Sequence, residues 1–243
     1  MNKVTTQYKS TKFNGFLFSD FYAGEYYPTS FDGNIGYEID SDYISIVQDL
    51  TRKVIGNTLS EKEERILEYF VSSYDEKHLD KDLFEVIFNI QSVLRKYVKR
   101  GDDLKRSMFA AHNIGFKASH IYKEEVGMCS EFSLLGHFLL RNLGISSSII
   151  GSLMKTEAKP KLERHAMLYL GEYNQPIVFD IFNPVFGGGA ALPSVYISHS
   201  TDFDLEETLF NPEGGEAKMQ RMPNFNHPSF PKKMTIYTDR YQS

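Results

Sequence analysis

The run GMCSEFSLLGHFLLRNL, residues 127–143, decides the fold. Phe132, Leu134, Leu135, Phe138, Leu139, Leu140 and Leu143 place apolar groups nearly all round a helix. Such a helix is a buried central element, not a surface one. Gly127 sets a turn before it and Gly144 a stop after it. Cys129 stands where the turn meets the first turn of the helix. The first N–H groups there are unpaired and carry the positive end of the helix dipole. They stabilise a thiolate and offer donors to an oxyanion formed beside the sulfur. Cys129 is the chain's one cysteine, so neither an intramolecular disulfide nor a thiolate zinc cluster is expected. A lone cysteine is either a small buried hydrophobe or a reactive thiol, and its neighbours must decide.

Outward from this helix the pattern turns to strands. Residues 145–153 read as a strand and 155–163 as a polar loop. Residues 164–170 and 176–182 read as two further strands joined by Gly171-Glu172-Tyr173-Asn174. A base for Cys129 must come from elsewhere in the chain. His137 is eight residues along the same helix, about 12 Å away, and reads as a structural histidine. His78, His112 and His120 fall in the helical half, and His199 and His227 in the tail. Only His165 lies in a predicted core strand. Asp180 interrupts Ile177-Val178-Phe179-Asp180-Ile181-Phe182, and a carboxylate there is costly unless paired. A four-residue hairpin loop over 171–174 would set Leu170 against Gln175 and carry His165 directly opposite Asp180. The expected catalytic residues are therefore Cys129 as nucleophile, His165 as base and Asp180 as its orienter.

Each has a plainer reading: Cys129 as core filler, His165 as a polar strand residue, Asp180 as a strand-end cap. Their coincidence with a helix start and a matching register favours the triad. Glu131 and the backbone of Cys129 are the expected substrate- and oxyanion-binding groups, although Glu131 also reads as an ordinary first-turn acid. Ser130 is a weak rival nucleophile, since no Gly-x-Ser-x-Gly surrounds it. Past Asn183-Pro184 the chain reads as loop. It contains Gly187-Gly188-Gly189, taken as a flexible loop flanking the site, and one strand at 234–237. No Lys-Ser/Thr follows the glycines, which excludes a P-loop.

The first hundred residues read as scaffold. Residues 1–40 are rich in Phe, Tyr and Gly, a pattern of short strands and turns. Residues 43–54 are amphipathic. Ser60-Glu61-Lys62-Glu63 is a capping box for a helix to about residue 74. Leu83, Val86, Ile87, Ile90, Leu94 and Val98 give a helix over 80–99, and Asp102 or Asp103 caps another. The expected division is an N-terminal aromatic-rich and helical region, 1–104, packed on a core, 105–243. Net charge is −5 and no basic run exceeds two residues, so nucleic acid is not an expected partner. No apolar run is long enough to span a membrane. The N-terminus lacks a signal-peptide core, so the expected location is the cytoplasm, or a host cell reached by a dedicated secretion machine.

Gly127-Met128-Cys129-Ser130-Glu131-Phe132 leading a helix, Leu143-Gly144-Ile145 into a strand, His165-Ala166 at a strand start and Asp180 followed by Asn183-Pro184 resemble the transglutaminase-like superfamily of papain-like thiol enzymes. The resemblance covers about residues 105–185. It implies an α+β fold, with a papain-like core of a central helix on an antiparallel sheet. It also implies thiol chemistry on amide carbonyls of a protein or peptide substrate, with no cofactor and no metal. Members include proteases, protein-glutamine deamidases, transglutaminases and inactive scaffolds. Small bacterial members include deamidases delivered into host cells. Met167 stands where the family usually has an aromatic residue, and Asn113, Tyr122 and Lys123 are the side chains weighed as oxyanion donors. Arylamine N-acetyltransferases have similar spacing but carry Arg-Gly-Gly before the cysteine, where this chain has Glu125-Val126-Gly127. Within the amide-hydrolysing group the expectation leans to glutamine deamidation over peptide cleavage, with an inactive binding module as the rival.

Overall fold

A computed structural model describes residues 26–28, 36–72, 81–112, 116–156, 160–161, 163–171, 177–187, 190–198, 215–222 and 233–238. The helix read from residues 127–143 runs Cys129–Asn142 (α6), and every residue from Cys129 to Leu140 is buried. Apolar groups on all sides leave it no face for water, so it must be enclosed. Strands β4 (Ser148–Thr156), β5 (Glu163–Leu170) and β6 (Ile177–Gly187) pack on one side of it and α1 (Ser41–Ile55) on another. Gly136 permits the close approach to the strands. A Cβ there would lie 2.5 Å from Ile181 Cδ1 and 2.8 Å from Leu168 Cδ1.

The strands do not stop at an open sheet. With β7 (Ala190–Ser198), β8 (Gly215–Met222) and β9 (Lys233–Thr238) they close into a six-stranded antiparallel barrel, β9 pairing back onto β4. The fold is thus mixed helix and antiparallel sheet, and the expectation of loop after Asn183 is corrected. Among the described residues, two strands lie in that stretch besides the expected one near 234–237. Pro193 hid β7, because proline reads against a strand interior. In β8 the buried Met219 stands among charged and polar residues such as Glu216, Lys218 and Gln220, too faint an alternation to read. The triple glycine is corrected as well: Gly187 ends β6 and pairs with Ala190, and Gly188-Gly189 lie outside the described residues.

Helices cover the rest. Ser60 opens α2 (Glu61–Ser72) with both halves of the capping box: Ser60 N–H donates to Glu63 Oε2 at 2.9 Å, and Glu63 N–H to Ser60 Oγ at 3.3 Å. The amphipathic α3 (Lys81–Tyr97) packs on α1, α2 and β7. Asp102 caps α4 (Asp103–His112) by accepting Lys105 N–H at 2.8 Å. A second, three-stranded sheet joins β1 (Tyr26–Pro28), β2 (Gly36–Glu38) and β3 (Phe116–Lys117), the last leading into α5 (Ala118–Lys123). Most of the N-terminal aromatic stripe lies outside the described residues. One continuous apolar cluster runs from Ile39 in the helical half to Ile197 in the barrel. Among the described residues no helix is long and apolar enough to cross a membrane.

Candidate active site

Cys129 is the first residue of α6, and the His165 side chain on β5 and the Ala166 N–H act on its sulfur. His165 Nε2 lies 2.9 Å from Asp180 Oδ1 on β6. Nε2 faces Asp180, which leaves Nδ1 as the other ring nitrogen. All three side chains are buried, with Cys129 at 9% exposure, His165 at 5% and Asp180 at 1%. The three residues expected to meet are therefore brought together.

The route by which they meet is not the expected register. Leu170 pairs with Ile177 and Leu168 with Phe179, two residues along from the expected pairing, so His165 and Asp180 are not directly opposite. An offset of two preserves the face on which each side chain stands, whereas an offset of one would have reversed it. The remaining gap is bridged by a bulge. Against β7, Asp180 pairs with Ser194 and Val185 with Leu192, so Ile181-Phe182-Asn183-Pro184 oppose Pro193 alone. Both prolines sit where no ladder bond is needed. The bulge folds around the carboxylate: Phe182 N–H and Asn183 N–H reach Asp180 Oδ1 at 3.2 and 3.1 Å, and Asn183 Nδ2 donates to Oδ2 at 3.0 Å. Ser194 Oγ–H donates to the Asn183 carbonyl.

The electrostatics follow from this enclosure. For Cys129 burial opposes the anion, but the hydrogen bond and charge of His165 and the Ala166 N–H outweigh it, so the thiol lies below its ordinary value. For His165 burial opposes the cation, and Asp180 followed by Cys129 overcomes it, raising the imidazole to about 10. Asp180 is held below the carboxylate range; burial is outweighed by His165 and Asn183. Both shifts favour the thiolate and imidazolium pair, the charge state a nucleophilic sulfur requires.

Glu131, expected among the substrate-binding groups, lies in the interior beneath the turn. It is 1% exposed, accepts Met128 N–H at 2.7 Å and pairs with Arg106 of α4. Burial raises its carboxyl to about 7, with the Met128 and Glu131 N–H groups pulling the other way. Its role is to fix the turn that presents Cys129. Tyr122 and Lys123 are also placed elsewhere than expected: Tyr122 donates to the Glu131 carbonyl at 2.8 Å, and Lys123 pairs with Asp42 at 2.7 Å. Asn113, His78, His199 and His227 lie outside the described residues. His137 is buried against Ser147 Oγ at 2.9 Å, and burial lowers it to about 3, a neutral structural histidine. Ser130 is buried, with its hydroxyl 3.4 Å from Glu131 Oε1. Among the described residues no group of three or more His, Cys, Asp or Glu is arranged to hold a metal ion.

Arg100 and Gly101 are site residues that the sequence did not disclose. Arg100 lies with its guanidinium carbon 3.7 Å above the Phe182 ring. Partial burial opposes its charge, while Asp180 and Cys129 favour it. Gly101 N–H bonds the Gly127 carbonyl at 2.8 Å. A Cβ on Gly101 would lie 2.5 Å from the Val126 carbonyl carbon and 2.7 Å from its Cα. Those are backbone atoms that cannot swing aside, so Gly101→Ala is expected to cost about 1–3 kcal/mol. Urea denaturation measures this loss, and slower alkylation of Cys129 reports the displaced turn. No signal short of the fold links residue 101 to residue 126. Compared with models of known protein families and with curated proteins, the chain matches none.

Proposed function

We propose that this chain is a thiol acyl-transfer enzyme of the transglutaminase-like class, acting on the side-chain amide of a protein glutamine. The observation that carries this reading is that Cys129, at the start of a buried helix, is buried beside His165, whose Nε2 lies 2.9 Å from Asp180 Oδ1. In this reading the Cys129 proton rests on His165, and the thiolate attacks the carboxamide carbon. The first N–H groups of α6, that of Cys129 among them, hold the oxyanion. His165 gives its proton to the departing ammonia as the C–N bond breaks, leaving a thioester on Cys129. Water, losing its proton to His165, then cleaves the thioester and yields glutamate; an amine in its place would give transamidation. Asp180 keeps the imidazole in one tautomer and does not itself take the proton.

The access to the sulfur supports a glutamine substrate over a peptide bond. At 9% exposure Cys129 suits a carbonyl at the tip of a slender side chain better than one flanked by main chain in both directions. Incubation of candidate target proteins with the enzyme is expected to add about one mass unit at a glutamine, as –NH2 becomes –OH, and Cys129→Ala is expected to add none. Fragments instead of that gain would replace deamidation by proteolysis. Labelling of Cys129 with the pH profile of an ordinary thiol would remove the enzyme reading and leave a binding module.

A further inference from the structure

Arg100 follows α3 and is exposed, yet it is held in place. Its guanidinium lies over Phe182, with Cζ 3.7 Å from the ring centroid. Phe182 in turn meets Phe132 of α6 edge-on at 5.4 Å, and its centroid stands 6.3 Å from that of His165. One guanidinium nitrogen lies 3.5 Å from Asn183 Oδ1, the same amide that donates to Asp180. The cation is thereby fixed to the bulge that orients the imidazole. Among the described residues no carboxylate lies within ion-pair distance of it. Arg106, by contrast, is committed to the buried Glu131. A stacked guanidinium keeps its in-plane donors free, and their fork matches a carboxylate. Because the side chain is already ordered, a bound anion would not have to freeze it.

We propose that Arg100 is a specificity residue, selecting acyl substrates that carry a carboxylate close to the carbonyl attacked by Cys129. The assignment rests on the acyl-transfer reading of that site. For a protein substrate, an acidic residue next to the target glutamine would supply the group. The competing assignment is structural: a stack that merely shields Phe182.

Two alkylating reagents separate these roles. Iodoacetate and iodoacetamide undergo the same step at Cys129: sulfur attacks the methylene, the C–S bond forms, and iodide leaves with the C–I pair. They differ in charge, so the ratio of their rates cancels any change in the thiolate itself. His165 in its charged form favours iodoacetate in every variant, so the readout is the change in the ratio. Arg100→Gln is expected to lower the iodoacetate-to-iodoacetamide ratio about three- to tenfold, and Arg100→Lys to retain most of it. In the wild-type protein, salt should lower the ratio, because an exposed charge is screened and the buried imidazolium is not. A ratio unmoved both by Arg100→Gln and by salt, with Cys129 still alkylated well below the ordinary thiol range, overturns the Arg100 assignment and spares the acyl-transfer reading. Failure of Cys129 to react with either reagent overturns both. If Arg100→Gln does not fold, the salt titration and Arg100→Lys decide alone.

Discussion

Replacing His165 by alanine is expected to slow iodoacetamide labelling of Cys129 about ten- to a hundredfold at pH 6.5, and to move the midpoint of its pH profile upward. In the wild type the imidazolium and the Ala166 N–H hold the thiol below its ordinary value of 9.0 against the opposing effect of burial. With the imidazole gone, burial acts nearly unopposed, so the midpoint should return to that ordinary value or pass above it. The rate falls by less than the thiolate fraction does, because a more basic thiolate is intrinsically more reactive. The sign is therefore fixed: the wild type stays reactive as pH falls below neutrality, and the variant does not. Mass spectrometry of the labelled protein across pH 5–10 measures both curves. Superimposable profiles would show that His165 does not govern the sulfur, and the proposed chemistry would go with them.

Asp180→Ala is expected to destabilise the fold by about 3–5 kcal/mol, the usual cost of breaking a buried ion pair from one side. For a chain of this size that lowers the melting temperature by roughly 10 °C. The loss has two parts. His165 is left buried without its carboxylate partner, and the Phe182 and Asn183 N–H groups lose their acceptor. The pH dependence has a defined window. Asp180 is depressed from its ordinary 3.8, so its contribution is present above that value and disappears as pH falls through the lower, folded one. His165 is raised from 6.5 to about 10, so its contribution is full below 6.5 and disappears as pH rises toward 10. The difference between wild type and variant should thus be greatest between about pH 4 and 6.5 and shrink on both sides. Urea melts at pH 3, 5.5, 8 and 10 would reveal it. A difference below about 1 kcal/mol at pH 5.5 would mean that the pair is not the anchor of the bulge.

Both results depend on the bulge of β6 as much as on the three side chains. Four residues opposing one turn the strand so that its backbone N–H groups point back onto Asp180. The carboxylate then has fixed oxygens to offer His165 instead of a rotamer to lose. Bulges beside reactive groups commonly serve to aim a side chain in this manner. Here the same four residues also carry Phe182 and Asn183, on which Arg100 rests.

Local chemistry was legible from residue order. The capping box at Ser60, the period of α3, the cap at Asp102 and the all-round apolar α6 each depend on side chains within a turn or two of one another. Such signals survive without knowledge of the rest of the chain. The placement of Cys129 at a helix start belongs to the same class. So does the cost of an acid within an apolar strand at Asp180, which pointed to a partner before any partner was known.

What residue order left open is what depends on pairing between distant segments. The hairpin register was read two residues off, and only because strand faces repeat every second residue did His165 still meet Asp180. β7 and β8 were missed because Pro193 and the polar face of Gly215–Met222 look like loop until their neighbours in a closed barrel supply the missing hydrogen bonds and burial. Arg100 and Gly101 carry no local mark of a place in the site. Their importance comes from the packing of residues 25 to 83 positions away, against Val126, Gly127, Phe182 and Asn183. The sequence by itself determined which side chains need partners; the tertiary structure decided which partners they have, because burial and pairing are properties of where segments meet and not of any one segment.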